Sequence, residues 1–152
     1  MRGDNGTDRA AGALPLDGGS GGNAKPGGAP NGNSVLIVGI GASAGGLEAF
    51  RSFFSAVPTN TGMAFVLVQH LSPDHKSLLA DLLGKSTSMS VIEATDGIAI
   101  KPNCVFVIPP DATMTIARGK LHVVKPAPPR SSRRPIDTFF QSLAVDRGEN
   151  AV

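Results

Sequence analysis

The sequence predicts an α/β fold: a mainly parallel sheet flanked by helices, with an antiparallel β-hairpin added to it. Three observations carry this. Val35–Ile40 and Met63–Gln69 are short apolar runs rich in β-branched residues, the pattern of strands buried on both faces. Between them Leu47, Phe50, Phe54 and Val57 recur at helical spacing until Pro58 ends the helix. Further on, "TMTIARGKLHVV" alternates in polarity on both sides of Arg118-Gly119, as a hairpin does.

Strand, helix, strand is a βαβ unit, whose crossover is right-handed and whose strands are parallel. Ser72 and Pro73 then fit the cap and first position of a helix carrying Leu78, Leu79, Leu82 and Leu83, with Gly84 just past its end. "SVIEA" (Ser90–Ala94) and "CVFVI" (Cys104–Ile108) are the next strands, separated by the turn signal Asp96-Gly97 and by Pro102-Asn103. After the hairpin comes a connector rich in proline and arginine, "KPAPPRSSRR". Pro135 opens the last helix, with Ile136, Phe139, Phe140, Leu143 and Ala144 on one face and Gly148 as its stop. The apolar pair Ala151-Val152 reads as the start of another strand, so the chain is expected to stop in mid-fold, C-terminally incomplete. That strand would not form, and Phe139, Phe140 and Leu143 would lack a neighbour.

Ahead of the fold, Met1–Asn33 holds ten of the nineteen glycines and no apolar periodicity. Such a segment cannot offset its ordering entropy by burial and is expected to be a disordered tail. It lacks the apolar core of a secretory signal, and its three aspartates suit a transit peptide poorly. The expected domain therefore spans 34–152. No apolar run has the length of a membrane span, so no membrane insertion is expected. The single cysteine, Cys104, excludes an intrachain disulfide framework and fits a reducing cytoplasm. A net charge of +2 gives no argument for nucleic acid. One cysteine and three scattered histidines offer no metal-ligand cluster, and no cofactor is expected.

The chemistry concentrates in "SVLIVGIGASAGGLEAF", Ser34–Phe50, which fits two motifs. Gly39-Ile40-Gly41-Ala42-Ser43-Ala44 matches the loop that lays a dinucleotide pyrophosphate on a helix N-terminus. Gly41-Ala42-Ser43-Ala44-Gly45 matches the elbow that exposes a nucleophilic serine. A dinucleotide site also needs an acidic residue ending the second strand to hold the ribose. That strand ends in Gln69-His70, and Ala56–Leu71 contains no Asp or Glu. A serine nucleophile needs a base instead. Ser43 follows the carboxyl end of the first strand and His70 that of the second, and neighbouring strands lie about 4.8 Å apart. The backbone N–H of Ala44, at the start of the helix, is then the oxyanion donor. The bland alternative is a close-packed glycine turn in which Ser43 caps the helix. For the acid that would orient His70, Asp137 is the nearest candidate, while Asp74 and Asp96 read as helix-start and turn residues. His75 reads as solvated, His122 as exposed on the hairpin, and Cys104 as a small hydrophobe on an apolar strand. Lys125, Arg130, Arg133 and Arg134 read as a solvated connector first, and as a surface that attracts acidic partner helices second.

These segments resemble the bacterial chemotaxis protein-glutamate methylesterases. "GIGASAGGLEAF", "FVLVQHLSPDH", "EATDGIAIKPNCVFVIPP", the hairpin and "RRPIDTFFQSLA" carry the resemblance, which runs from about Ser34 to Val152. It implies a three-layer α/β sandwich, Ser43 as nucleophile and His70 as base. It also implies hydrolysis of glutamate methyl esters, with possible deamidation of glutamine, on methyl-accepting chemotaxis receptors. In that family the triad aspartate and a second oxyanion donor lie in a glycine-rich loop after the strand that begins here at Ala151, so no aspartate is carried over. A fragment ending there is expected to be weakly active or inactive. Many members carry a receiver domain ahead of the catalytic one, where this chain has its tail. "PDHKSLLADLL" and "PAPPRSSRRPID" look closest to methylesterase modules fused ahead of a receptor methyltransferase. The competing expectation is a noncatalytic interaction or regulatory module that keeps the fold.

Overall fold

The computed structural model describes residues 35–43, 45–69, 78–129 and 134–152, all within the unit Gly32–Val152. The expected tail, the helix start at Ser72-Pro73 and the connector residues Arg130 and Arg133 lie outside the described residues. In chain order the elements are β1 (Ile37–Ala42), α1 (Leu47–Ala56), β2 (Ala64–Gln69), α2 (Leu79–Gly84), β3 (Ser90–Glu93), β4 (Ile98–Ala99), β5 (Cys104–Val107), β6 (Thr113–Ala117), β7 (Lys120–Val124) and α3 (Pro135–Arg147). A single 3₁₀ turn, Gly148–Asn150, follows.

Four strands form a parallel sheet in the order β1-β2-β5-β3. β2 lies inside it, and all six of its residues are buried because both faces are covered. On one face Phe65, Leu67, Val105 and Val107 pack with Phe50 and Phe54 of α1 and with Leu79 and Leu83 of α2. The rings of Phe54 and Phe65 meet edge to face, 5.4 Å between centroids, the arrangement their quadrupoles favour. On the other face Ile37, Val66, Val68 and Phe106 pack with Phe139 and Leu143 of α3 and with Met114, Ile116 and Leu121 of a second sheet. Helices, sheet, then helix with hairpin make the three layers, and the fold class is the one expected.

The hairpin turns at Arg118-Gly119, both at positive φ (51° and 72°), the type I′ geometry that a two-residue loop needs to follow strand twist. It has a third strand that sequence periodicity does not reveal: β4, two residues long, pairs antiparallel with β7. The order β4-β7-β6 leaves β6 at an edge, and α3 covers that edge. Ser142 Oγ accepts the Ile116 N–H at 3.0 Å. One turn further along, the Asp146 carboxylate accepts the N–H groups of Arg118 and Gly119. Arg147 Nε lies 3.0 Å from Asp146 Oδ2, a charge pairing without hydrogen-bond alignment.

Three expectations are corrected. β1 begins and ends two residues later than its apolar run, because pairing of Gly41 with Val68 and Ala42 with Gln69 extends it to the length of β2. Ala144 is exposed rather than on the packed face of α3, since Ser142 and Asp146 rotate the covered face toward β6. The strand start at Ala151 does form. Ala151 bridges Ile37 in parallel, the Val152 N–H donates to the Ile37 carbonyl at 3.0 Å, and the Gly39 N–H donates to the Val152 carbonyl at 2.8 Å. Phe139 and Leu143 are fully packed, so the helix face is not left bare.

Candidate active site

From β1 the chain moves to β2, and α3 later returns it to the opposite side of β1 at Ala151. β1 is thus where the direction of winding reverses, and in parallel sheets the crevice at the carboxyl end of such a strand is where ligands bind. Ser43 is the residue that follows that end, and it is exposed.

The turn from β1 into α1 is tight for a stated reason. A Cβ on Gly46 would stand 2.6 Å from the Ala42 Cβ, so only glycine fits. The Gly46 N–H closes the turn on the Ser43 carbonyl at 3.1 Å. Gly46 is the N-cap of α1 with no side-chain cap bond, so Ser43 does not cap the helix. Among the described residues nothing hydrogen-bonds the Ser43 hydroxyl. Gly39 and Gly41 serve packing. Cβ atoms there would meet Leu143 at 3.1 Å and Ile136 at 2.8 Å, so the clearance a pyrophosphate would need over Gly41 is filled by α3.

One buried polar side chain reaches this turn. Gln69, last residue of β2 and 6% exposed, donates from Nε2 to the Ser43 carbonyl at 3.0 Å. Left without a partner a buried amide costs about 1–3 kcal/mol, and this bond removes that cost. Sequence reading passed over Gln69 as the end of an apolar run. The available signal was its polarity in a strand that is otherwise apolar.

Ala44 and His70 lie outside the described residues, as do His75 and Asp74. Asp137 is exposed in the first turn of α3 and hydrogen-bonds no described residue. Asp96 stands with Gly97 (φ 77°) in the expected turn, where its Oδ1 accepts the Val123 N–H at 3.0 Å and lies 3.5 Å from His122 Nδ1. His122 is half-buried rather than fully exposed, and it sits on the second sheet. Cys104 is partly buried and free. Among the described residues no three His, Cys, Asp or Glu side chains gather as a metal site, and no helix is long and apolar enough to cross a membrane.

The family profile described as CheB methylesterase matches residues 38–152. The protein-glutamate methylesterase/protein-glutamine glutaminase of Salmonella typhimurium is 36% identical over 124 residues, 79% of this chain and 35% of that protein. Its counterpart in Maricaulis maris is 38% identical over 117 residues, 74% of this chain and 29% of that protein. The chain thus spans about a third of the length of the curated relatives it matches. The crystal structure of the Thermotoga maritima CheB methylesterase catalytic domain superposes with a TM-score of 0.66 at 28% identity, covering 78% of this chain and 65% of that one. An exposed serine at the reversal strand of a three-layer sheet, and a profile match over most of the chain, place it together: the chain belongs to the CheB methylesterase family.

Proposed function

We propose that this chain carries the nucleophile and base of a protein-glutamate methylesterase acting on methyl-accepting chemotaxis receptors, and that the same site deamidates receptor glutamines. The observation that carries the reading is the placement of Ser43: exposed at the carboxyl end of β1, and tied through its carbonyl to Gln69. His70 follows Gln69 by one peptide, about 3.8 Å between Cα atoms, so nucleophile and base leave neighbouring strand ends. The names of the Salmonella and Maricaulis relatives support the substrate class.

In this mechanism Ser43 Oγ attacks the ester carbonyl carbon while His70 takes the hydroxyl proton. The Ala44 N–H holds the oxyanion. The tetrahedral intermediate collapses, His70 passes its proton to the departing methoxide, and methanol leaves. Water then attacks the acyl-serine, giving its proton to His70, which returns one to Ser43 as the free glutamate departs. With a glutamine substrate, ammonia leaves in place of methanol. No aspartate of this chain is assigned to orient His70. Met1–Asn33 is read as a tail ahead of a catalytic domain at 34–152, in a cytoplasmic protein with a receptor methyltransferase fused downstream.

The test is to quench a reaction with methylated receptor after milliseconds and seek the glutamyl ester by mass spectrometry. It is expected on Ser43. Hydrolysis proceeding with no adduct on Ser43, or an adduct elsewhere, overturns the assignment.

A further inference from the structure

We propose that Gln69 is a positioning residue that sets the orientation of the Ser43 peptide, and with it the direction of the oxyanion donor; this rests on the serine-esterase reading above. Gln69 is the buried polar side chain of a strand whose other residues are all apolar. An apolar side chain would fill the position without needing a partner, so the amide answers a requirement other than packing. Its partner, the Ser43 carbonyl oxygen, only accepts, which settles that Nε2 rather than Oε1 faces it. The same oxygen takes the Gly46 N–H. Two donors from two elements, one in the turn and one on β2, therefore converge on one carbonyl.

A peptide unit is planar and trans, so a carbonyl and the N–H that follows it point in opposite directions. By that planarity, a Ser43 carbonyl held toward Gln69 and Gly46 would turn the following N–H the other way, as an oxyanion donor requires. Half a turn of that peptide would present the carbonyl's negative end to the oxyanion and abolish the donor. The Gly46 bond alone would resist the rotation from within an exposed turn. Gln69 adds a buried anchor on a strand held from both sides. Since His70 is the next residue, a single position ties the nucleophile's peptide to the segment that bears the base.

The experiment uses this chain unsubstituted, as Gln69→Met and as Gln69→Glu, with an alkyl fluorophosphonate. Ser43 Oγ forms a bond to phosphorus, fluoride leaves, the hydroxyl proton passes to the base, and the phosphoryl oxygen occupies the oxyanion position. Labelling of the Ser43 peptide is followed by mass spectrometry across probe concentrations. The maximal rate should fall roughly tenfold or more in Gln69→Met, and further in Gln69→Glu, whose carboxylate repels the carbonyl, while the half-saturating concentration stays within about twofold. Amide exchange should quicken at Gly46 in Gln69→Met and stay unchanged at Val66 and Val68. Equal maximal rates in the three proteins overturn the Gln69 assignment and leave the nucleophile standing. Faster exchange at Val66 and Val68 together with Gly46 also overturns it, making Gln69 a stabilising residue only. No labelling of Ser43 either in the unsubstituted chain or in a version extended through the next strands overturns the nucleophile, and the positioning role with it.

Discussion

Ile136 lies directly over Gly41: a methyl group on that glycine would stand 2.8 Å from Ile136 Cγ2. The first turn of α3 is seated on β1 by the absence of a side chain two residues before Ser43. Gly41→Ala should therefore push α3 outward and destabilise the domain by about 1–3 kcal/mol, read from urea unfolding. Gly45→Ala is the contrast. No described atom beyond its chain neighbours lies within 4 Å of the added Cβ, so stability should change by less than about 0.5 kcal/mol. A loss at Gly45 as large as at Gly41 would contradict this account of the elbow.

Asp146 is the acceptor for both N–H groups of the hairpin turn, and it is largely buried beside Arg147. Asp146→Ala leaves those groups without their partner and should cost about 1–3 kcal/mol, with Asp146→Asn costing less because one carbonyl oxygen remains. Amide exchange at Arg118 and Gly119 should quicken selectively. Asp137→Ala, exposed at the opposite end of the same helix, should cost no more than about 1 kcal/mol through the helix dipole.

In the complete domain, Ser43→Ala should lower turnover on methylated receptor by roughly 10⁴–10⁶ while thermal unfolding stays unchanged, because the side chain is exposed and bonded to nothing described. His70→Ala should lose a comparable factor, and the double variant should be little worse than either single, since residues acting as one unit are non-additive. Methanol release measures all three. Losses that multiply would show that Ser43 and His70 do not work as a pair.

Nicotinamide and flavin dinucleotides should leave the melting temperature unchanged, because a ligand that binds the folded state raises it and this loop has no cradle to offer. The hydrogens of Gly39 and Gly41 face Leu143, Phe140 and Ile136, and β2 ends in Gln69 where a ribose would need an acid. A saturable rise with either dinucleotide would reopen the phosphate reading of the loop.

Much of the parallel sheet was legible in the sequence because a strand buried on both faces must be apolar at consecutive positions, as in "MAFVLVQ". β4 was not, since Ile98 and Ala99 become a strand only through pairing with β7. The tight turn that exposes Ser43 was legible because it demands small residues around it. Gln69 was hidden, as its role depends on a carbonyl far along the chain rather than on any local pattern. Asp146 left a faint signal: an acid in the last turn of a helix opposes the dipole, and it needs compensating donors from elsewhere.

The bridge between Ile37 and Ala151 joins the two ends of the folded region, and this has a consequence during synthesis on the ribosome. β1 is the first strand to emerge, yet its outer edge finds its partner only after every other described element has been made. Until then the Gly39 N–H and the Ile37 carbonyl stay open to water and to any other extended chain nearby. Contacts so distant in sequence close slowly, because the loop entropy must be met before they form. The nascent chain therefore carries a bare strand edge from the emergence of β1 until Ala151-Val152 has been made, and that edge is a point of exposure to misassembly and to chaperones.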